Sequence, residues 1–424
     1  MTSTWLTSNQ VAQRLGVKPA TVYAYVSRGM LHRRLGDDGR SSRFDPAEVE
    51  QLARRSRPRV DARRTGIVDV VLSTTLTEIR DGELRYRGHD AVELVASATF
   101  EDVAELLWTG QLTDRARWSS PAKDVTLVRN VTAPLGSAVT PADRIRVGTA
   151  AVASSRPLRV DLRAESVTHH ARTLLATLVE ALPPIGRRRV PATAATAPTS
   201  TTTSTPGAGR AGGGRPPRLA ARLWPKVARV AANPARVRAL DAALILLADH
   251  ELASSTLAAR IAASTRSDPY DVVLSGLGAV SGPLHGGAGA AAHRLLTHAK
   301  SSGSPERAVG EALSLNGSLP GFGHPLYPDG DPRARCLLGL LAPLLGTRDT
   351  ALVEATLAAA AVTSAEPPNV DFALAALAFS AGMSTDAIEV IFALARISGW
   401  IAHALEEYAE TPLRFRTRAI YVGV

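Results

Sequence analysis

A single cysteine, Cys336, occurs among the 424 residues, which excludes a disulfide framework within the chain. No apolar run approaches the ~18 residues of a membrane span, and no export signal follows Met1. The sequence also lacks a metal-ligand cluster, and its glycine-rich run has no strand or helix context that would favour phosphate binding. We therefore expect a cytoplasmic protein that uses no membrane anchor, metal or other cofactor.

Acidic residues are missing from one stretch of the chain, and this locates the excess positive charge. The net charge is +10, yet residues 187–238 hold 11 Lys/Arg and no Asp or Glu, and residues 1–66 hold 13 Lys/Arg against 6 Asp/Glu. The rest of the chain is net negative. The basic charge therefore belongs to an N-terminal segment and a linker, and it does not indicate a basic catalytic body.

Residues 1–60 have the pattern of a compact helical module. Thr7 or Ser8 is placed to cap a helix over residues 10–15. A second helix is predicted over residues 19–28, because a proline is suited to its first position. A third helix is predicted to open at residue 45 with an N-cap, a proline and an acidic residue.

The stretch LTSNQVAQRLGVKPATVYAYVSRGML resembles the helix-turn-helix of MerR- and excisionase-type DNA-binding domains, with RSSRF as the wing strand. The resemblance implies that the second helix enters the major groove and that wing arginines meet phosphates. The residues so implied are Thr21, Tyr23, Ser27, Arg28, Arg40 and Arg43. The alternative is a helical adaptor with a solvated basic face. A module this small reads few base pairs, so specific binding would need a dimer.

After a basic connector over residues 61–67, the chain from 68 to 424 has a mainly helical pattern. The pair Asp81-Gly82 is a hairpin turn signal, so we expect two strands around it before helical spacing begins at Asp90.

Residues 183–217 interrupt this pattern with a low-complexity run of Pro, Thr, Ala, Gly and Arg. Such a composition has too few apolar side chains to offset the entropy of ordering, and it predicts a mobile surface loop. We interpret the loop as a tolerated insertion in preference to a nucleic-acid-binding arm.

Four motifs carry the residues best suited to chemistry. They are His250 in LADHELASST, His285 in SGPLHGGAGAAAH, His324 in PGFGHPLYPDGDPRAR and Asp371 in EPPNVDFALA. Imidazoles and one carboxylate near arginines are what a metal-free enzyme needs to make a carbon nucleophile beside an anionic substrate. A lone histidine beside glycines is more often structural, but four such settings together favour a functional site.

In this order the four motifs resemble the citrate synthase family. The segments TEIRDGELRYRGHD and ATFEDVAELLWTGQL resemble the N-terminal portion of that family. The resemblance implies a mainly helical protein with a large and a small domain closing over the active site, acting as a homodimer. It also implies the Si-type condensation of acetyl-CoA, oxaloacetate and water to citrate and CoA, as in the tricarboxylic acid cycle. Two alternatives stay open: a 2-methylcitrate synthase that uses propionyl-CoA, and a DNA-binding regulator whose citrate synthase-like body senses ligands.

Making an enol from a thioester needs a positioned base, and Asp371 fits because prolines stiffen the loop before it. The resemblance implies that His285 donates the hydrogen bond to the enol oxygen. The dipole of a helix that starts near Ala288 is expected to lower the pKa of this imidazole and keep it neutral.

The resemblance implies that four further side chains bind oxaloacetate. His324 would donate to its carbonyl, and His250 would also contact it. Arg333 and Arg396 would hold its carboxylates through bidentate contacts. The partner subunit would supply one more arginine, with Arg416 the best match and Arg414 and Arg418 as alternatives.

Residues 325–328 depart from the family pattern. They read Pro-Leu-Tyr-Pro where the family commonly has Arg-Val-Tyr-Lys, so two basic residues are missing along the expected path of the CoA phosphates. We therefore expect CoA to be bound less tightly or through other residues.

Overall fold

A computed structural model divides the chain into two compact units, residues 1–73 and residues 74–424. The structure describes residues 5–15, 17, 19–27, 31–36, 41–46, 48–49, 70–136, 139–185, 215–283, 285–344, 346–364 and 366–415. The predicted connector 61–67, most of the predicted loop 183–217, and the candidate residues Arg28, Arg40 and Arg416 lie outside the described residues.

The first unit combines two helices with a small antiparallel sheet. Its elements are β1 (Leu6–Thr7), α1 (Ser8–Leu15), α2 (Pro19–Ser27), β2 (Arg34–Leu35) and β3 (Ser42–Phe44). The strand order is β1-β3-β2, so the strand expected to form the wing is the central one. A small apolar cluster, which includes Val11, Val22 and Phe44, joins the helices to the sheet.

Helix α1 begins at a reciprocal cap. The backbone N–H of Thr7 donates to Oε1 of Gln10 at 2.8 Å, and the Gln10 N–H donates to Oγ1 of Thr7 at 3.4 Å. This is the capping-box arrangement, in which two backbone donors at a helix start are satisfied by two side chains. Of the two caps that the sequence allowed, Thr7 is the one used.

The second unit opens with a three-stranded antiparallel sheet of β4 (Thr77–Arg80), β5 (Glu83–Tyr86) and β6 (His89–Asp90). At the turn between β4 and β5, φ is 53° at Asp81 and 78° at Gly82. Two successive positive φ angles are what the tight hairpin turn requires, and an Asp-Gly pair supplies them at low cost. The predicted hairpin is present, and β6 is a third strand that the sequence pattern did not indicate.

Helices are nearly all of the remaining regular secondary structure in the described part of the second unit. They are α3 (Ala91–Ser97), α4 (Phe100–Thr109), α5 (Ala122–Thr132), α6 (Pro141–Ser154), α7 (Ala164–Ala181), α8 (Leu219–Val227), α9 (Pro234–Leu246), α10 (Ser254–Ser264), α11 (Pro269–Val280), α12 (Ala288–Ser302), α13 (Pro305–Asn316), α14 (Pro332–Leu341), α15 (Thr347–Thr363), α16 (Val370–Ser380) and α17 (Thr385–Ala409). Short 3-10 turns cover Ala133–Leu135 and Pro157–Val160.

One local signal starts several of these helices. α6, α9, α11, α13 and α14 each follow an N-cap Thr, Asn, Asp or Ser, whose side chain accepts a backbone N–H, and each has a proline in its first turn. The cap satisfies a donor left over at the helix start, and proline has no N–H to satisfy there.

Helix α17 is the central helix of this unit. It packs against α4, α6, α7, α9, α10, α11, α12 and α16. By length and hydropathy alone α17 is able to cross a membrane, but 89% of its apolar stretch is buried inside the protein. Its apolar surface is therefore already covered by neighbouring helices, as expected for the core helix of a globular unit.

Candidate active site

The helix ends of the second unit hold the four motif residues. His250 follows α9, His285 lies just before the start of α12, and His324 lies in the loop between α13 and α14. Asp371 is the second residue of α16. All four therefore sit on short loops or first turns that packed helices hold in place.

Backbone hydrogen bonds join the His324 loop to the loop that leads into Asp371. The N–H of Gly323 donates to the carbonyl of Pro367 at 2.8 Å, and the N–H of Asn369 donates to the carbonyl of Gly321 at 2.9 Å. The Asn369 side chain adds a bond from Nδ2 to the carbonyl of Gly323 at 2.8 Å. The two loops are thus fixed to each other before any ligand binds.

Asp371 is held at the start of α16 by Asn369, whose Oδ1 accepts the Asp371 N–H at 2.9 Å. Its carboxylate faces the first turn of α12, because a Cβ built on Gly289 would lie 3.6 Å from Oδ1 of Asp371. Burial raises the pKa of Asp371 to about 6, although the charge of Arg333 acts in the opposite direction. A carboxylate with a raised pKa is a stronger base than an ordinary aspartate.

The ring of His285 bonds to a serine on α10. Its Nε2 lies 2.8 Å from Oγ of Ser255, and its edge packs against the ring of Phe392 with centroids 5.7 Å apart. Burial lowers the pKa of His285, and the charge of Arg396 contributes second. Burial therefore favours the neutral ring, a cause that the sequence did not indicate.

His324 and His250 lie edge to face, with ring centroids 5.2 Å apart. The N–H of Leu326 donates to Nδ1 of His324 at 3.2 Å, so Nδ1 is an acceptor. Burial, followed by the charge of Arg333, lowers the pKa of His324 to about 4. A neutral ring that accepts at Nδ1 carries its proton on Nε2, which makes Nε2 a hydrogen-bond donor.

Arg333 is buried, with 3% of its surface exposed, and it is already engaged along one edge. Its Nε and Nη2 donate to the two carboxylate oxygens of Asp331 at 2.9 and 2.8 Å. Asp331 also caps α14 and accepts the N–H of Val370 at 2.9 Å. This aspartate therefore orients Arg333 and ties it to the helix that carries Asp371, and only the remaining edge of the guanidinium is open to a ligand.

Arg396 extends from α17 and has 2% of its surface exposed. Its Nε donates to the carbonyl of Leu247 at 2.9 Å. Within the described part of the chain, its buried Nη1 has no hydrogen-bond partner. A buried charged donor without a partner is costly, so this position favours an anionic ligand.

The charge of Arg396 acts on three of the four motif residues. It contributes to lowering the pKa values of His250 and His285, and it acts on the raised pKa of Asp371. Together with the bonds between the loops, this places a base, neutral imidazoles and a buried cation within one electrostatic environment.

A series of buried hydrogen bonds holds Asp249, the residue before His250. Oδ2 of Asp249 accepts from Oγ1 of Thr77 at 2.5 Å and from Nε2 of His403 at 3.2 Å. Nη1 of Arg260 donates to Nδ1 of His403 at 2.8 Å, which leaves the His403 proton on Nε2, facing Asp249. His403 thus helps to fix the backbone next to His250.

Sequence reasoning missed Ser255, Asp331, Tyr327 and Asp249 as parts of this site. Only Asp331 had a local signal, because an Asp-Pro-Arg sequence marks a helix cap. The partners of the other three come from elements far away in the chain. Arg414, one of the alternatives for the partner's arginine, is engaged within its own chain by Glu407, with two bonds of 2.7 Å.

In the first unit, the described residues expected to contact DNA lie on α2 and β3. Tyr23 is 48% exposed, and its hydroxyl lies 3.3 Å from that of Ser8. Ser27 is exposed, whereas Thr21 and Arg43 are half-buried. Tyr23 and Ser27 are therefore the most accessible of the set.

Comparison with known proteins gives the family of both parts. Residues 66–418 match the family "Citrate synthase, C-terminal domain", and residues 5–57 match the family "Helix-turn-helix domain". Over 195 residues the chain is 39% identical to citrate synthase 2 of Bacillus subtilis, an alignment that covers 45% of this chain and 52% of that protein. The chain thus spans about half the length of this relative.

Two further matches cover more of the chain. It is 27% identical to 2-methylcitrate synthase 1 of Corynebacterium glutamicum, covering 85% of this chain and 94% of that one. The crystal structure of citrate synthase from Pyrobaculum aerophilum superposes with a TM-score of 0.65 at 25% identity, covering 84% of this chain and 91% of that chain. The chain is therefore a member of the citrate synthase family that carries an N-terminal helix-turn-helix domain.

Proposed function

We propose that this protein condenses acetyl-CoA with oxaloacetate and water to give citrate and free CoA. The observation that carries the proposal is Arg396, a buried cation whose Nη1 has no partner among the described residues and whose charge reaches His250, His285 and Asp371. A dicarboxylate such as oxaloacetate satisfies that donor and brings its ketone into the same environment as the base and the neutral imidazoles.

The first step is enolisation of the thioester. Asp371 removes a proton from the acyl methyl group, and His285 donates a hydrogen bond to the thioester oxygen as it becomes the enol oxygen. Burial supports both roles, because it strengthens the Asp371 base and keeps the His285 ring neutral.

The second step forms the carbon–carbon bond. The enol carbon attacks the ketone carbon of oxaloacetate with Si-type stereochemistry. His324 donates a hydrogen bond from Nε2–H to the ketone oxygen and then gives it that proton, so that the oxygen becomes the hydroxyl group of the product. Arg396 and the open edge of Arg333 hold the carboxylates, and His250 also contacts this substrate. Water then cleaves the thioester and releases citrate and the CoA thiol.

The proposal also specifies the acyl group of the thioester. Similarity to 2-methylcitrate synthase 1 of C. glutamicum makes propionyl-CoA the alternative substrate. The two acyl groups differ by one methylene, which is worth only about 1 to 3 kcal/mol in an apolar pocket. Comparing kcat/KM for the two thioesters decides between them.

We propose further that the protein acts as a homodimer in which Arg416 reaches the site of the partner subunit. Mixing two inactive variants so that heterodimers form, and then measuring activity, tests this directly. A heterodimer with Arg416→Ala in one subunit and Asp371→Asn in the other should regain activity at one shared site. It stays inactive if each subunit holds a complete site of its own.

A second candidate function is a DNA-binding regulator that responds to oxaloacetate or CoA esters. The match of residues 5–57 to a helix-turn-helix domain favours it. The two candidates differ at Asp371, since a ligand sensor needs no general base. Duplex binding that changes when oxaloacetate or an acyl-CoA is added would support the regulator.

A measurement of oxaloacetate binding tests the role of Arg396. We expect Arg396→Met to abolish the thermal stabilisation that oxaloacetate gives to the wild-type protein. Arg222→Met is a matched control, because Arg222 also has a partly buried guanidinium with an unpartnered nitrogen among the described residues, Nε, outside the site. Unchanged stabilisation in Arg396→Met, or equal losses in both variants, would contradict the assignment.

A further inference from the structure

The hydroxyl of Tyr327 is buried against His250. Tyr327 has 1% of its surface exposed, and its Oη lies 3.0 Å from Nε2 of His250. Tyr327 takes no part in the steps of the proposed reaction.

Tyr327 contacts both histidines of the site. Its ring centroid lies 5.6 Å from that of His250 and 5.0 Å from that of His324. Its backbone N–H also donates to the carbonyl of His324 at 3.0 Å, which closes the turn between them. One residue therefore packs against both imidazoles.

The guanidinium of Arg333 holds the tyrosine ring from another side. The Arg333 Cζ lies 5.2 Å from the centroid of the Tyr327 ring, within the range of a cation–π contact. Because Asp331 fixes Arg333 in turn, the position of the tyrosine is set by packing and does not depend on its own hydroxyl.

A neutral imidazole has one donor and one acceptor nitrogen, and a hydroxyl is able to bond to either. His250 is held neutral by burial and by the charges of Arg333 and Arg396, which lower its pKa. Burial raises the pKa of Tyr327, so the phenol keeps its proton. The bond between them therefore persists across neutral pH and fixes the orientation of the ring.

We propose that Tyr327 is a positioning residue of the oxaloacetate site, which acts by holding the His250 ring in a single orientation. The inference rests on the proposed function for the identity of the ligand. It adds a residue that does not contact the reacting atoms and that acts on oxaloacetate binding more than on enolisation.

Tyr327→Phe tests the proposal because it removes the hydroxyl and keeps the ring. We expect the KM for oxaloacetate to rise about tenfold, as for the loss of one buried hydrogen bond, with kcat changed less than threefold and the KM for acyl-CoA unchanged. We expect the ¹⁵N signal of His250 Nε2 to shift in the variant, because that nitrogen loses its hydrogen-bond partner.

Tyr270→Phe is a closely matched control. Oη of Tyr270 lies 3.1 Å from Nδ1 of His170, and the two ring centroids are 5.5 Å apart, so the pair has nearly the geometry of Tyr327 and His250. It lies outside the candidate site. Its loss should affect stability but leave the KM for oxaloacetate unchanged.

The proposal is overturned if Tyr327→Phe keeps a wild-type KM for oxaloacetate, or if Tyr270→Phe raises this KM equally. It is also overturned if Tyr327→Phe has its full effect in a His250→Asn background, since the tyrosine then does not act through His250. If the wild-type protein binds no oxaloacetate, the proposed function fails, and the His250 ¹⁵N signals alone decide whether Tyr327 holds the ring.

Discussion

Asp371→Asn should make the second unit more stable at neutral pH while it removes activity. The reason is the burial that raises the pKa of Asp371 from 3.8 to about 6. At about 1.4 kcal/mol per pH unit, this is a penalty of at most about 3 kcal/mol for the ionised carboxylate. Asparagine keeps the shape and carries no charge, so the penalty disappears.

The pH dependence follows from the direction of the pKa change. Below pH 3.8 the carboxyl is protonated in both the folded and unfolded states, and it imposes no penalty. Between pH 3.8 and about 6 the unfolded chain ionises first, so the penalty grows, and above about pH 6 it is complete. The stability gained by Asp371→Asn should therefore be largest near pH 8 and shrink as the pH falls to 4.5.

Denaturant unfolding at pH 4.5, 6 and 8, followed by tryptophan fluorescence, measures this gain. Four of the five tryptophans lie in the second unit, so the signal reports mainly on it. Turnover should fall by roughly 10²- to 10⁴-fold, as for loss of a general base. In the wild-type protein kcat should rise with pH through about 6, where Asp371 ionises.

Asp241→Asn is the control for this experiment. Burial raises the pKa of Asp241 to about 6 as well, but this residue lies on α9 and bonds to the N–H of Phe100 at 3.1 Å, away from the candidate site. It should show a similar pH-dependent gain in stability with turnover retained. A gain for Asp371→Asn that is the same at all three pH values, or that grows towards low pH, would refute the reasoning.

Three further predictions concern other parts of the molecule. Ser255→Ala removes the bond to His285, and stopped-flow assays should find kcat lowered about tenfold with the KM for oxaloacetate unchanged; an unchanged kcat would remove Ser255 from the site. Gly399→Ala places a Cβ 2.4 Å from Oδ1 of Asp249, so calorimetry should show a loss of roughly 1 to 3 kcal/mol in stability, which a wild-type Tm would contradict. Deletion of residues 1–60 should abolish salt-sensitive duplex binding in gel-shift assays and leave turnover intact, whereas surviving duplex binding would contradict the helix-turn-helix assignment.

Local signals predicted much of the fold. Pro19 marked the start of α2, and the pair Asp81-Gly82 marked a hairpin turn whose two positive φ angles the structure contains. These features depend on a few neighbouring residues, and the sequence therefore contains them explicitly. The third strand, His89–Asp90, is too short to produce a pattern of its own.

The site itself was predictable as a set of motifs but not as a set of contacts. Ser255 meets His285 and Asp331 meets Val370 only after helices from separate parts of the chain have packed. The cause of the neutral His285 ring also depends on packing. Its distance from a helix start was visible in the sequence, but the burial that dominates its pKa was not.

The measurement that tests the central claim most directly is release of the CoA thiol by the purified full-length protein, with and without oxaloacetate, for acetyl-CoA and propionyl-CoA. We expect thiol release that requires oxaloacetate, is faster with acetyl-CoA, and is lost in Asp371→Asn. Oxaloacetate or CoA-ester binding without thiol release from either thioester would contradict the enzyme and favour the ligand-responsive DNA-binding regulator.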